Sequence, residues 1–269
     1  MKLNEIYSIV NSIAPKTLSD EYCERYGAYD NSGIIVDSGE PIEKILFSLD
    51  LSKKTVEKAI EQHADLIITH HPAIYSKIGG ITSDDLLGEK LIACIKNGIS
   101  VISMHLNLDC AIGGIDESLM DGVRKASGYE AEGNKTDVAI MHSLKDGGYG
   151  RAYDIKKITA GELAERLKKE FSSEKIIVYG ENRLLEKAAS FCGAGGDEES
   201  VAFAKLQKAG VIISSDFKHH VIAEAIEKGL SVIVLTHYAS ENYGFKKYYE
   251  KISRQTGLSC LYYEDESLL

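Results

Sequence analysis

Two adjacent imidazoles and a proline, His70-His71-Pro72, close the apolar run Leu66-Ile67-Ile68. Such a run suits a strand buried on both faces of a parallel sheet. Pro72 biases His71 toward an extended backbone, so both rings stand where a strand gives way to a loop. Ligands of open α/β sheets bind at such places. Two readings are open for the pair: ordinary loop histidines, or ligands of a metal. Neighbours on an extended chain point to different sides, so each ring can serve one of two neighbouring ions. A second polar cluster, His105-Leu106-Asn107-Leu108-Asp109, follows the β-type run at 99–104. If the strand pattern persists, His105, Asn107 and Asp109 share one face. His237 and Glu241 are four apart at the opening of the last long helical stretch. That spacing puts them on one helical face, as a two-ligand metal face requires; an exposed helix start with an acidic first turn is the plainer reading.

His70, His71, Asp109, His237 and Glu241 together make three imidazoles and two carboxylates, without a thiolate. This set suits Zn, Mn, Fe, Co or Ni better than Ca or Cu(I). Five ligands exceed one closed tetrahedral site and suit two divalent ions sharing a bridging carboxylate and water. Two such ions bring four positive charges and the carboxylates return two negative ones, so the centre stays able to take an anion. His105 is the nearest candidate for catalytic proton transfer, with a supporting hydrogen bond to a ligand as its other reading. Asp30 and Asn31 lie in the turn sequence Asp30-Asn31-Ser32-Gly33 and are either turn formers or supports near the site. The glycine-rich stretch Cys192-Gly-Ala-Gly-Gly-Asp197 can cradle a phosphate, but it lacks the P-loop lysine, and a tight turn explains it as well. His219-His220 stands at a helix start, where adjacent residues do not share a face, which leaves it a cleft or subunit-contact candidate.

The elements that must position these groups alternate as β-α-β-α-β over residues 44–104, which implies a parallel sheet. An amphipathic helix is expected over 2–14, ended by Pro15, with a short strand at 34–36. Ser52 and Ser83 are expected to cap the two helices between the strands. Composition turns glycine-rich and polar after Ser127, and a domain boundary is placed near residue 130. Residues 147–151 read as a turn. Thr159 is expected to cap a helix, and strands are expected over 175–179, 187–192, 210–213 and 231–235.

The chain has 269 residues, 44% hydrophobic and 27% charged, with a formal net charge of -10. That balance opposes non-specific nucleic-acid binding, which needs a basic surface. It leaves a nucleotide substrate open, because a metal centre supplies local positive charge. No signal-peptide core or membrane-spanning run is visible. The five cysteines lack metal or disulfide spacing and read as buried thiols of a cytoplasmic protein.

Taken together, Asp30-Asn31-Ser32-Gly33, Thr69-His70-His71-Pro72, His105-Leu106-Asn107-Leu108-Asp109 with Gly113-Gly114, Cys192-Gly193-Ala194-Gly195-Gly196, Ser215-Asp216 with His219-His220, and His237 with Ser240-Glu241 resemble the GTP cyclohydrolase 1 type 2 homolog family, also called the Nif-three-like family. The resemblance implies a two-lobed α/β fold with mixed, mostly parallel sheets flanked by helices. One lobe would comprise residues 1–130 with 236–269 and the other 131–235, in the short form without an insertion. It implies dinuclear metal ligands on His70, His71, Asp109, His237 and Glu241, and a toroidal homohexamer whose metal pairs face an internal cavity. The sequence departs from the family pattern at Asp116, where Asn is usual, at Thr236, where Gly is common, and at Ser214-Ser215. None of these removes a ligand. The implied activity is a metal-dependent hydrolase opening the purine ring of GTP, or a phosphoesterase acting on a nucleotide or small phosphate. The alternative of another class is a non-catalytic metal-binding or partner-binding regulatory protein.

Overall fold

The computed structural model describes residues 1–130 and 138–268. Residues 131–137, the start of the expected second lobe, lie outside the described residues. In chain order come α1 (Leu3–Ile13), α2 (Lys16–Tyr26), β1 (Gly33–Val36), β2 (Lys44–Ser48), α3 (Lys53–Glu61), β3 (Leu66–Thr69), α4 (Leu86–Lys96), β4 (Ser100–Ser103) and α5 (Leu106–Cys110). They are followed by α6 (Ile115–Ser127), β5 (Ala139–Leu144), β6 (Gly147–Thr159), α7 (Ala160–Glu170), β7 (Ile177–Tyr179), β8 (Leu184–Ser190), α8 (Glu198–Leu206), β9 (Val211–Ser214), α9 (His219–Glu227) and β10 (Ser231–Val234). The chain closes with α10 (His237–Thr256) and β11 (Ser259–Tyr262). Residues 1–111 with 245–268 pack as one compact unit and 112–244 as another.

The first unit holds a sheet in the order β1-β4-β3-β2-β11. The pairs β11–β2, β2–β3 and β3–β4 are parallel, and β1 runs antiparallel to β4 at the edge. One face of this sheet packs Leu46, Ile67 and Val101 against Val56, Ala59, Leu91 and Cys94 of α3 and α4. Phe47, pointing the opposite way by strand alternation, meets Phe245 and Tyr249 of α10. Ser52 caps α3 as expected, its hydroxyl accepting from the Thr55 N–H at 3.0 Å. At α4 the cap is Asp85, which accepts from the Gly88 N–H at 2.9 Å, not Ser83. A carboxylate caps as well as a hydroxyl, and the two candidates stand only two residues apart.

Pro15 ends α1 and also opens α2, a helix the sequence pattern does not announce. The buried side of α2 is Leu18, Ser19 and Tyr22, a stripe too polar to register as apolar periodicity. The second sheet runs β5-β6-β8-β9-β10-β7. Its β8–β9 and β9–β10 pairs are parallel and its other three antiparallel. Residues 147–151, expected as a turn, instead begin the 13-residue strand β6. Its glycines serve close approach: a Cβ at Gly150 would stand 2.7 Å from the Phe191 ring. Thr159 caps α7 as expected. Among the described residues no helix is long and apolar enough to cross a membrane.

Candidate metal centre

Ser48, Thr69 and Ser103 are level with one another in β2, β3 and β4. Asp50, His71 and His105 each lie two residues further on, so parallel pairing brings all three to the carboxyl edge of the first sheet. His70 emerges between them. The antiparallel strand β1 begins beside Ser103, with Gly33 as its partner, which returns Asp30 to the same edge.

Each imidazole is held through Nδ1. His70 Nδ1 lies 2.8 Å from the Met104 carbonyl oxygen. A carbonyl only accepts, so Nδ1 carries the proton and Nε2 keeps the lone pair. His71 Nδ1 meets Asp50 Oδ1 at 2.8 Å, and His105 Nδ1 meets Asp30 Oδ1 at 2.8 Å. Ionised carboxylates set the same tautomer, with Nε2 left as the donor. The ring centroids are 4.9 Å apart for His70–His71, 5.3 Å for His70–His105 and 6.0 Å for His71–His105. One ligand atom each from His70, His105 and Asp109 lies within 4.8 Å of the others. His70 Nε2 and Asp109 Oδ1 are 3.5 Å apart, with both side chains buried.

Asp30 is the best-fixed of the supports. Burial alone would raise its carboxyl, but hydrogen bonds from His105, Ser19 and Ser32 outweigh that and hold it well below the usual carboxylate range. The Ser19 and Ser32 hydroxyls donate to Oδ2 at 2.5 and 2.6 Å, and the Ser32 hydroxyl accepts the His105 N–H at 2.9 Å. The neighbouring Asn31 amide donates to the Ile74 carbonyl at 2.6 Å, tying the loop after Pro72 to this turn.

The strand pattern expected over 105–109 stops at Ser103. The His105 carbonyl accepts from the N–H groups of Leu108 and Asp109 at 2.8 and 2.9 Å, which folds the segment into α5. His105 and Asp109 are therefore one helical turn apart, not alternate strand residues. Asn107 donates to the Ala14 carbonyl at 2.7 Å and fastens α5 to the α1–α2 junction. Asp50 was not singled out from the sequence. The available signal was the polar step Ser48-Leu-Asp50 at the end of a strand neighbouring the His70-His71 strand.

In the second unit His237 Nε2 and Glu241 Oε1 lie 3.1 Å apart, one turn along α10, as their spacing implies. His237 Nδ1 meets Asp216 Oδ2 at 2.5 Å, the same carboxylate anchoring seen at His71 and His105. The glycine-rich turn after β8 runs beside them. Gly193 has φ +58°, and a Cβ there would collide with Glu241 Oε1. Its N–H donates to Ser240 Oγ at 3.0 Å. Asp197 closes the turn by capping α8. Gly193→Ala should lower stability by ~1–3 kcal/mol, from backbone strain and displacement of the carboxylate. An unchanged urea midpoint would contradict this packing. His220 pairs with Glu198 on the exposed start of α9.

The donors fit a borderline divalent ion: imidazole Nε2 atoms with fixed tautomers beside a carboxylate, the outer rings backed by carboxylates. Ca2+ prefers an all-oxygen set. The five cysteines are free thiols, and the donor groups formed by the described residues are of histidine and carboxylate.

A family model described as Duf34/NIF3 (NGG1p interacting factor 3) matches residues 1–266. A GTP cyclohydrolase 1 type 2 homolog of Clostridium perfringens is 32% identical over 244 residues, spanning 90% of this chain and 87% of the relative. A protein of Methanocaldococcus jannaschii with the same description is 31% identical over 264 residues, 97% and 98% of the two chains. Among solved structures, reduced HcgD from Methanocaldococcus jannaschii superposes with a TM-score of 0.78 at 29% identity, covering 97% of each chain.

Proposed function

The chain belongs to the Duf34/NIF3 family, and from that premise we propose that it is a divalent-metal-dependent hydrolase acting on a nucleotide or a related small phosphate-bearing substrate. The observation that carries the reading is the imidazole cluster at one sheet edge, each Nδ1 anchored, with Asp109 beside His70. Such anchoring leaves the remaining ring nitrogens as fixed donors. The ligands we assign to two divalent ions are His70, His71 and Asp109 with His237 and Glu241. The last two are supported by the family resemblance and by their carboxylate-anchored geometry within the second unit.

Bound there, divalent ions supply Lewis acidity and an activated water. This chain's own part is to hold the donors and to move a proton. His105 is assigned the proton transfer: Asp30 keeps Nδ1 protonated and stabilises the imidazolium, so Nε2 faces the cluster as a base. With Asp30, Asp50 and Asp216 anchoring the rings, an anionic substrate would be held by direct coordination to the ions and not by a net positive charge. Assembly as a homohexamer and a cytoplasmic location belong to the same proposal. The description of the family as an interacting factor favours a second reading, a partner-binding metal protein without turnover.

The deciding experiment is metal content per chain after purification without chelator, followed by turnover of a nucleotide panel with the metal found. About two transition-metal ions per chain, absent from the His70→Ala/Glu241→Ala variant, with metal-dependent product release, are expected. Metal without turnover selects the second reading. A metal-free protein unaffected by the double substitution would remove both.

A further inference from the structure

Tyr29 and Tyr75 stand half in water, 49% and 52% exposed, although rings of this size are normally worth burying. They are not scattered. Their centroids are 5.7 Å apart at an interplanar angle of 87°, edge to face. Tyr75 in turn meets the His105 ring at 6.3 Å and 87°. The backbone on either side is tied to the donor cluster. Tyr29 precedes Asp30, which holds His105 Nδ1. Tyr75 follows Ile74, whose carbonyl is held by the Asn31 amide. The turn that orients His105 therefore also sets both rings beside it.

An edge-to-face pair uses only one face of one ring, and the half exposure of both rings leaves aromatic surface open to solvent. A planar π-system gains most from such a surface, and the gain tolerates differences between one ring and another. A protein surface laid over Tyr75 would instead cover the approach to His105. We infer that Tyr29 and Tyr75 form a stacking subsite for a planar heteroaromatic ring next to the imidazole cluster. The inference rests on the hydrolase reading for the reacting group and adds to it the part of the substrate that sets specificity. Tyr75 is the principal platform, because its ring meets both the Tyr29 ring and the His105 ring. Tyr29 buttresses it edge-on.

The test compares two probes that share a phosphate and differ by the ring, guanosine 5′-monophosphate and ribose 5-phosphate, by isothermal titration of the full chain as purified. The nucleotide should bind more tightly by ~5- to 150-fold, the range of base–aromatic stacking. Tyr75→Ala should abolish that preference and Tyr75→Phe should keep it, with metal content and sedimentation coefficient unchanged in both; Tyr29→Ala should give a smaller loss. Equal dissociation constants for the two probes, no binding of either, or an unaltered nucleotide affinity in Tyr75→Ala would overturn the subsite. So would a change of sedimentation in Tyr75→Ala without a change of affinity, which would make the ring a subunit contact. A Tyr75-dependent preference in a protein without metal would leave the subsite standing and remove the hydrolase reading.

Discussion

Asp109→Ala should cost more than ~100-fold in metal affinity and Asp50→Asn ~10- to 100-fold, the range for a group that only orients a ligand. Asp30→Asn, which acts on His105 and not on an assigned ligand, should leave metal affinity near the parent's and lower turnover instead. Asp109 is a buried donor within 4.8 Å of the ligand atoms of His70 and His105, so truncation removes a donor and its charge together. Asp30→Asn keeps the shape and can still accept from His105 Nδ1, but through a neutral oxygen that no longer stabilises the ring's positive charge. The cost of Asp50→Asn should fall at the low end of its range, because Asp50 and His71 are both partly exposed and solvent screens their pairing. Competition against a chromophoric chelator gives the three dissociation constants. Excess Ca2+ or Mg2+ should displace nothing, since the donors are mainly nitrogen. An Asp109→Ala protein that holds metal as tightly as the parent would remove this carboxylate from the centre.

The local signals in the sequence were those of single elements. His70-His71-Pro72 marked a strand end because the apolar run before it is short and the proline stops it. His237 and Glu241 marked a helical face because their spacing matches one turn. What connects such pieces is register, and register is a long-range property. Nothing near Asp50 announces that Ser48 pairs with Thr69, so the polar step Ser48-Leu-Asp50 marks a strand end but not that its carboxylate meets His71. The failure at 105–109 has another cause. Alternating polar and apolar residues fit a strand, but five residues are too few to separate that pattern from one helical turn, and the His105 carbonyl made the choice by accepting from Leu108 and Asp109. β11, which extends the first sheet beside β2, was missed because Ser259-Cys-Leu-Tyr262 is short and weakly apolar.

Asp116→Ala should destabilise the protein by ~3–5 kcal/mol, the cost of leaving one member of a buried ion pair behind. Asp116 is 0% and Arg151 2% exposed. One carboxylate oxygen takes the Arg151 guanidinium and the Gly150 N–H, the latter at 3.0 Å; the other takes the Cys192 N–H at 3.1 Å. Truncation strands a buried guanidinium, with Glu117 3.8 Å away as a poor substitute, and removes the acceptor of two backbone donors. Asp116→Asn should cost nearly as much, because an amide offers one acceptor oxygen and turns donor hydrogens toward Arg151 or toward a backbone N–H. The charge at 116 thus has its reason in Arg151, not in the metal. Its reach toward Glu241 is indirect: Cys192 opens the turn in which Gly193 abuts that carboxylate. Pairing Asp116→Leu with Arg151→Met should recover part of the loss by removing the stranded charge, but not all, because the Gly150 and Cys192 N–H groups stay unpaired. Urea midpoints at constant m-value report these differences. A loss below ~1 kcal/mol for Asp116→Ala, within the range of an exposed pair, would mean that water reaches Arg151 and that the pair does not hold the turn.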